Sequence, residues 1–235
     1  MDYYEIVQLL KTAASIEELD KYQRDILTWF PCCEVMIGYD QKHRAHQYDL
    51  WHHTLHTVLN LPRWIDDDML FLAALLHGVG KPACRTENDA KNPDAHYYGH
   101  PERSAEIVEQ EVIPTLQKKG VILTEEEQQR LLYYARYHDD WIRLSYQNIQ
   151  KHLERVPIPV FRQLLHLQIA DTEAHLQLPV IETHIRICKI CLAMTGDDYA
   201  HILPKLKGNE KYNVAVMQEL LKTDLHLKNR QSDIL

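Results

Sequence analysis

The sequence predicts an all-α fold, and three observations predict it. No stretch alternates strictly between apolar and polar residues, and no Asn-Gly or Asp-Gly pair marks a hairpin. Apolar residues recur instead at helical spacing, as in Leu70, Ala73, Ala74 and His77. Prolines punctuate these stripes at positions 31, 62, 82, 101, 114, 157 and 179, and a proline interrupts a helix because it lacks the N–H.

Taken in order, a first helix is expected over 3–11. Ser15 with Glu18 forms a capping box that opens a helix over 16–30, which stops at Pro31. A third, 49–60, precedes Pro62. Asp66, Asp67 and Asp68 set negative charge at the start of 67–77, where the helix dipole favours it. Residues 78–100 hold Gly78, Gly80, Pro82, Pro93 and Gly99 and read as one irregular segment. A loop of that length in a helical fold usually serves function. Helices follow over 101–118 and over 125–138, the latter opened by Thr124 with Glu127. The set is completed by 145–155, 159–177, 180–194 and 210–222.

Composition narrows the class. Of 235 residues, 45% are hydrophobic and 26% charged, an ordinary globular balance. The longest apolar run, Met69 to Leu76, is too short to span a bilayer, so no membrane association is expected. The acidic start Met-Asp-Tyr-Tyr-Glu carries no signal-peptide pattern. Five cysteines, two of them adjacent, fit reduced thiols and a cytoplasmic location. A net charge of -8 disfavours an extended nucleic-acid surface, while a small anion in a locally positive pocket is compatible with it. Cys188 and Cys191 have CxxC spacing, but they stand without a second pair inside an apolar helical run, which reads as packing.

The fifteen histidines carry the functional signal. His77 closes the stripe of 67–77, and His138 closes Leu131 and Ala135 in 125–138. In 159–177 the stripe Val160, Leu164, Leu167 arrives at Asp171. A buried carboxylate is costly unless it is paired or binds a metal. Asp171 therefore either meets an arginine such as Arg162 or Arg136 or joins the imidazoles. In Trp51-His52-His53-Thr54-Leu55, periodicity does not choose among His52, His53 and His56.

Asp49-Leu50-Trp51-His52-His53-Thr54-Leu55, then Leu75-Leu76-His77-Gly78-Val79-Gly80-Lys81-Pro82, then Tyr98-Gly99-His100, resemble the HD superfamily. The segment looks most similar to the HD region of bacterial tRNA nucleotidyltransferases. Phe30-Pro31 through Ile37-Gly38 and Gln41 resembles their lead-in, and Leu192-Ala193-Met194-Thr195-Gly196-Asp197-Asp198 resembles their helical tail. The nucleotidyltransferase head is absent from this sequence, so CCA addition is not expected.

The resemblance implies N-terminal helices over 1–30, an HD domain over 31–180 and a helical extension over 181–235. It implies metal ligands at His53, His77 and Asp171, with His100 and His138 as two further ligands. Lys81 matches a lysine that faces substrate phosphate, and Arg85 an arginine of many relatives. Glu102, Asp139 and Asp140 neighbour the histidines and are candidates for general acid or for support of the ligands. Two imidazoles with a carboxylate suit Mn, Fe, Co, Ni or Zn better than Ca.

The expected function is a metal-dependent phosphohydrolase acting on a nucleotide or other phosphate ester. The alternative is a module that binds a nucleotide or an RNA end without hydrolysis, because the doublet Asp of the motif is Gly78 here. After a helix ending at His77, that glycine reads as a C-cap.

Overall fold

The computed structural model describes residues 1–86, 94–141 and 146–195. Among these the elements are helical, and the isolated bridge between Thr86 and His96 is the one β-type pairing. The helices are α1 (Tyr3–Thr12), α2 (Ile16–Lys21), α3 (Gln23–Trp29), α4 (Leu50–Asn60), α5 (Asp68–Leu76) and α6 (Lys81–Cys84). They continue with α7 (His100–Ile107), α8 (Ile113–Lys118), α9 (Glu125–Tyr137), α10 (Tyr146–Leu153), α11 (Ile158–Glu173) and α12 (Pro179–Met194). The helix expected over 210–222, most of the 181–235 extension and the Gly196-Asp197-Asp198 part of the tail lie outside the described residues. No helix among them is long and apolar enough to cross a membrane.

Local chemistry accounts for the ends and breaks. The Ser15 hydroxyl caps α2, and Thr124 and Glu127 form the reciprocal capping box of α9. The expected 16–30 helix is two helices, broken at Tyr22, whose ψ of 19° ends one and starts the next. A 3₁₀ turn, Pro31–Met36, follows where a loop was expected. The expected 101–118 helix is continuous in path but widens into a π turn over Val108–Val112 just before Pro114. A proline cannot donate to the carbonyl four residues back and its ring crowds that group, so the turn before it opens.

The pivot of the fold is α5. Every residue from Met69 to Leu76 is buried, so the stripe predicted there is one face of a helix that is apolar all round. Its N-cap Asp67 is buried and satisfied, accepting from the Met69 amide at 3.0 Å and the Tyr134 hydroxyl at 2.9 Å. Helix α5 packs against α1, α4 and α9, while α4 and α12 pack on α11, and α7 on α9. One apolar core runs through these contacts from Tyr3 to Leu192, and Cys188 and Cys191 belong to it.

Two glycines shape the turn between α5 and α7. A Cβ at Gly80 would stand 2.6 Å from both the His100 carbonyl and the Ser104 amide, backbone atoms that cannot step aside. Gly99 has φ of 78° and lets the chain turn sharply so that His100 opens α7. Buried Ser104 locks the arrangement, donating to the His77 carbonyl at 2.6 Å and accepting from the Gly80 amide at 3.0 Å.

Candidate metal centre

His53 is the inward histidine of α4. It is 1% exposed, whereas His52 bonds its own cap, Asp49, and His56 stacks on Tyr48 with ring centroids 4.1 Å apart. Its Nε2 lies 2.8 Å from Asp171 Oδ1, and the Nε2 of fully buried His77 lies 3.5 Å from the same oxygen. Three elements meet here: α4 brings His53, the end of α5 brings His77, and α11 brings Asp171. The partners of Asp171 are thus imidazoles rather than the arginines considered from sequence. Ligand atoms of His53, His77 and Asp171 all lie within 4.8 Å of one another, an arrangement that could hold a metal ion.

Protons are placed by the second nitrogen of each ring. His77 Nδ1 sits 2.8 Å from the Ala74 carbonyl, His138 Nδ1 2.8 Å from the Ala135 carbonyl, and His100 Nδ1 2.9 Å from the Tyr97 carbonyl. A carbonyl only accepts, so each Nδ1 carries the hydrogen and each Nε2 presents a bare lone pair. Metal-binding histidines are held by the same pattern of support. His77 Nε2 is buried and without a hydrogen-bond partner. His100 and His138 meet Nε2 to Nε2 at 3.1 Å, two lone pairs facing one another. Burial holds the His100 ring at about 2 and the His138 ring at about 3, so a shared proton is disfavoured there. Facing lone pairs without a proton call for a cation, and the donor set fits a borderline transition metal.

His100 and His138 do not join the three-ligand group directly. They form an adjoining pair, with the His138 ring 5.1 Å from His77. Burial opposes ionisation of Asp171, yet the hydrogen bond that His53 donates helps hold the carboxyl well below its ordinary range. Asp171 is therefore a carboxylate, and His53 donates to it through Nε2. Burial in turn pushes His53 down to about 3, so the ring is neutral.

A cleft of about 540 Å³ reaches this centre at Asp171 and is lined among others by Lys81, His100, Glu102, Arg136 and Asp139. Lys81 is 5% exposed and its Nζ donates to Gln41 Oε1 at 2.9 Å. Burial lowers its pKa, while Asp171 and Asp139 pull it back up. Asp139 keeps solvent contact, but the protein crowding its carboxyl and the charge of Asp171 push it up to about 6. Glu102 is exposed at the rim, and Asp140 leans on His152 Nε2 at 3.4 Å. Arg85 does not line the cleft: its guanidinium lies over Tyr39 and reaches the Asp40 carbonyl at 3.5 Å.

Gly78 is not the cap that its position suggested, because its φ is not positive. A Cβ there would meet Leu50 Cδ1 at 2.9 Å and Thr54 Oγ1 at 3.6 Å. The space beside residue 78 is thus occupied by α4. Sequence reasoning missed His46 and His175, and it considered Arg136 only as a partner for Asp171. His46 sits in a loop without periodicity. His175 was legible in principle, being one helical turn beyond Asp171.

Comparison of the chain with protein-family models, with curated proteins and with solved structures finds no match in any of the three. What the chain displays is an all-helical fold with a buried group of two histidines and an aspartate able to hold a metal ion.

Proposed function

We propose that the chain is a metal-dependent phosphohydrolase of the HD type, acting on a nucleotide or another phosphate ester. The observation that carries the reading is the buried group His53, His77 and Asp171, whose Asp171 lines a cleft that also presents Lys81 and Arg136. The sequence resemblance around His53, His77 and Lys81 supports it from a separate direction.

His53, His77 and Asp171 would hold the ion. A divalent ion bound there supplies neutralisation of phosphate charge and a water of lowered pKa. The chain supplies the rest. Lys81 and Arg136 place two cations on the cleft wall for the nonbridging oxygens, and Lys81 would exchange its bond to Gln41 for one to phosphate. Asp139, poised near 6, holds a proton for part of the time at neutral pH and is positioned at the cleft to donate it to the leaving oxygen.

Gly78 favours a second reading, a module that binds such a ligand without turnover, since glycine brings no carboxylate and Leu50 fills the adjacent space. The test is to assay p-nitrophenyl phosphate and 2′,3′-cyclic nucleotides with added Mn²⁺, Ni²⁺ or Mg²⁺. The expected result is turnover with Mn²⁺ or Ni²⁺ that drops at least about a hundredfold in His77→Ala. Turnover untouched by that change overturns the proposal. Turnover that emerges only in Gly78→Asp combined with Leu50→Ala favours the binding module.

A further inference from the structure

We propose that His46, His53 and His175 form a second transition-metal position, adjacent to the first and sharing His53 with it. Each of the three offers a ring nitrogen within 4.8 Å of the other two. Their ring centroids stand 4.9 Å apart for His46 and His53, 4.3 Å for His46 and His175, and 4.8 Å for His53 and His175. Of the three, only His53 belongs to the phosphohydrolase reading, and the proposal stands whether or not turnover is found.

The backbone builds this cluster deliberately. The Leu176 amide donates to the Ala45 carbonyl at 2.8 Å, which ties the residue after His175 to the residue before His46. The His46 amide donates to the His43 carbonyl at 2.9 Å, and the Ala95 amide to the Lys42 carbonyl at 2.7 Å. The first bond holds the loop carrying His46 against the end of α11, and the other two fix the loop itself. None of these three backbone contacts requires a histidine.

The hydrogens again point to a cation. His175 Nδ1 lies 2.8 Å from the Asp171 carbonyl and must donate, which leaves its Nε2 bare. The Nδ1 atoms of His46 and His53 are buried with no hydrogen-bond partner. His53 is 1% exposed, so water does not meet that need from outside. Three imidazoles in ring contact with unused nitrogens repel anions weakly and attract Lewis acids strongly. The Lys81 ammonium is bonded to Gln41. Nitrogens on one ion sit about 2.0–2.1 Å from it, so rotation of His46 and His175 inward completes the site. An all-nitrogen set selects a borderline ion of the Zn²⁺, Ni²⁺ or Cu²⁺ type over Mg²⁺ or Ca²⁺.

The two positions are separated by changing the residues they do not share. Full-length protein is freed of metal and titrated with Zn²⁺ by calorimetry, with Mg²⁺ as the control ion. In His77→Ala, one Zn²⁺ is expected to remain bound. Adding His46→Ala or His175→Ala to that variant is expected to weaken it at least about a hundredfold. His175→Gln, checked by circular dichroism, replaces any alanine variant that fails to fold. Loss of all Zn²⁺ in His77→Ala overturns the second position, as does binding indifferent to His46 and His175. The reverse set, with Zn²⁺ held in the His46→Ala, His175→Ala double variant and lost on adding His77→Ala, reports the first position alone. Absence of that first ion counts against the phosphohydrolase reading and leaves this one intact.

Discussion

Asp171→Asn is expected to lower metal affinity at the His53–His77 centre at least about a hundredfold and to take any turnover with it. The metal-free protein should still fold. The two halves of this result follow from one exchange. The carboxylate is the only charged group among the three ligands, so the amide removes most of the attraction for a dication. The amide nevertheless keeps an oxygen for the His53 Nε2–H at 2.8 Å. The retained hydrogen bond lets the metal-free chain fold without the charge. Metal content by mass spectrometry and the melting temperature in chelator measure the two halves. Unchanged metal retention would show that Asp171 is a structural acid.

Acid is expected to unfold the metal-free protein early. His53, His100 and His138 are held at about 3, 2 and 3, all below the ordinary imidazole value of 6.5. Above pH 6.5 these rings are neutral in both states and contribute nothing to the pH dependence. Below it the unfolded chain takes up protons that the folded chain refuses, so stability falls until the folded values are reached. Each buried ring contributes about 1.4 kcal/mol per pH unit, and three contribute about 4. Asp139, raised to about 6, binds its proton earlier in the folded state and offsets less than one ring's share, because it keeps solvent contact. Against a typical stability of about 5–15 kcal/mol, unfolding should set in some two to three units below pH 6.5. Urea titrations in chelator from pH 7.5 to 4.5 measure this slope. A flat profile would mean that the histidines are not held neutral by burial.

The helices were legible because their stripes and caps are local: Thr124 with Glu127, and the prolines at 157 and 179, act within one turn of themselves. His77, His138 and Asp171 were legible for the same reason, each ending an apolar stripe that the structure buries. His53 was not separable from His52 by spacing, since the choice rests on which face of α4 meets α11. What stayed hidden was set by contacts distant in sequence. His46 is placed by a bond between Ala45 and Leu176, and Gly78 is constrained by Leu50, neither of which leaves a periodic trace. The break at Tyr22 and the π turn before Pro114 were hidden differently, because the sequence on both sides of each is good helix.

The metal centre depends on where the histidine protons sit, and nitrogen-resolved NMR of the metal-free protein at pH 7.5 reads that directly. His77, His100, His138 and His175 should show hydrogen on Nδ1 and a bare Nε2, and His53 the opposite. One equivalent of Zn²⁺ should then shift the Nε2 signal of His77. Hydrogen found on Nε2 of His77, or a His77 signal unmoved by excess Zn²⁺, would contradict a metal centre at this position.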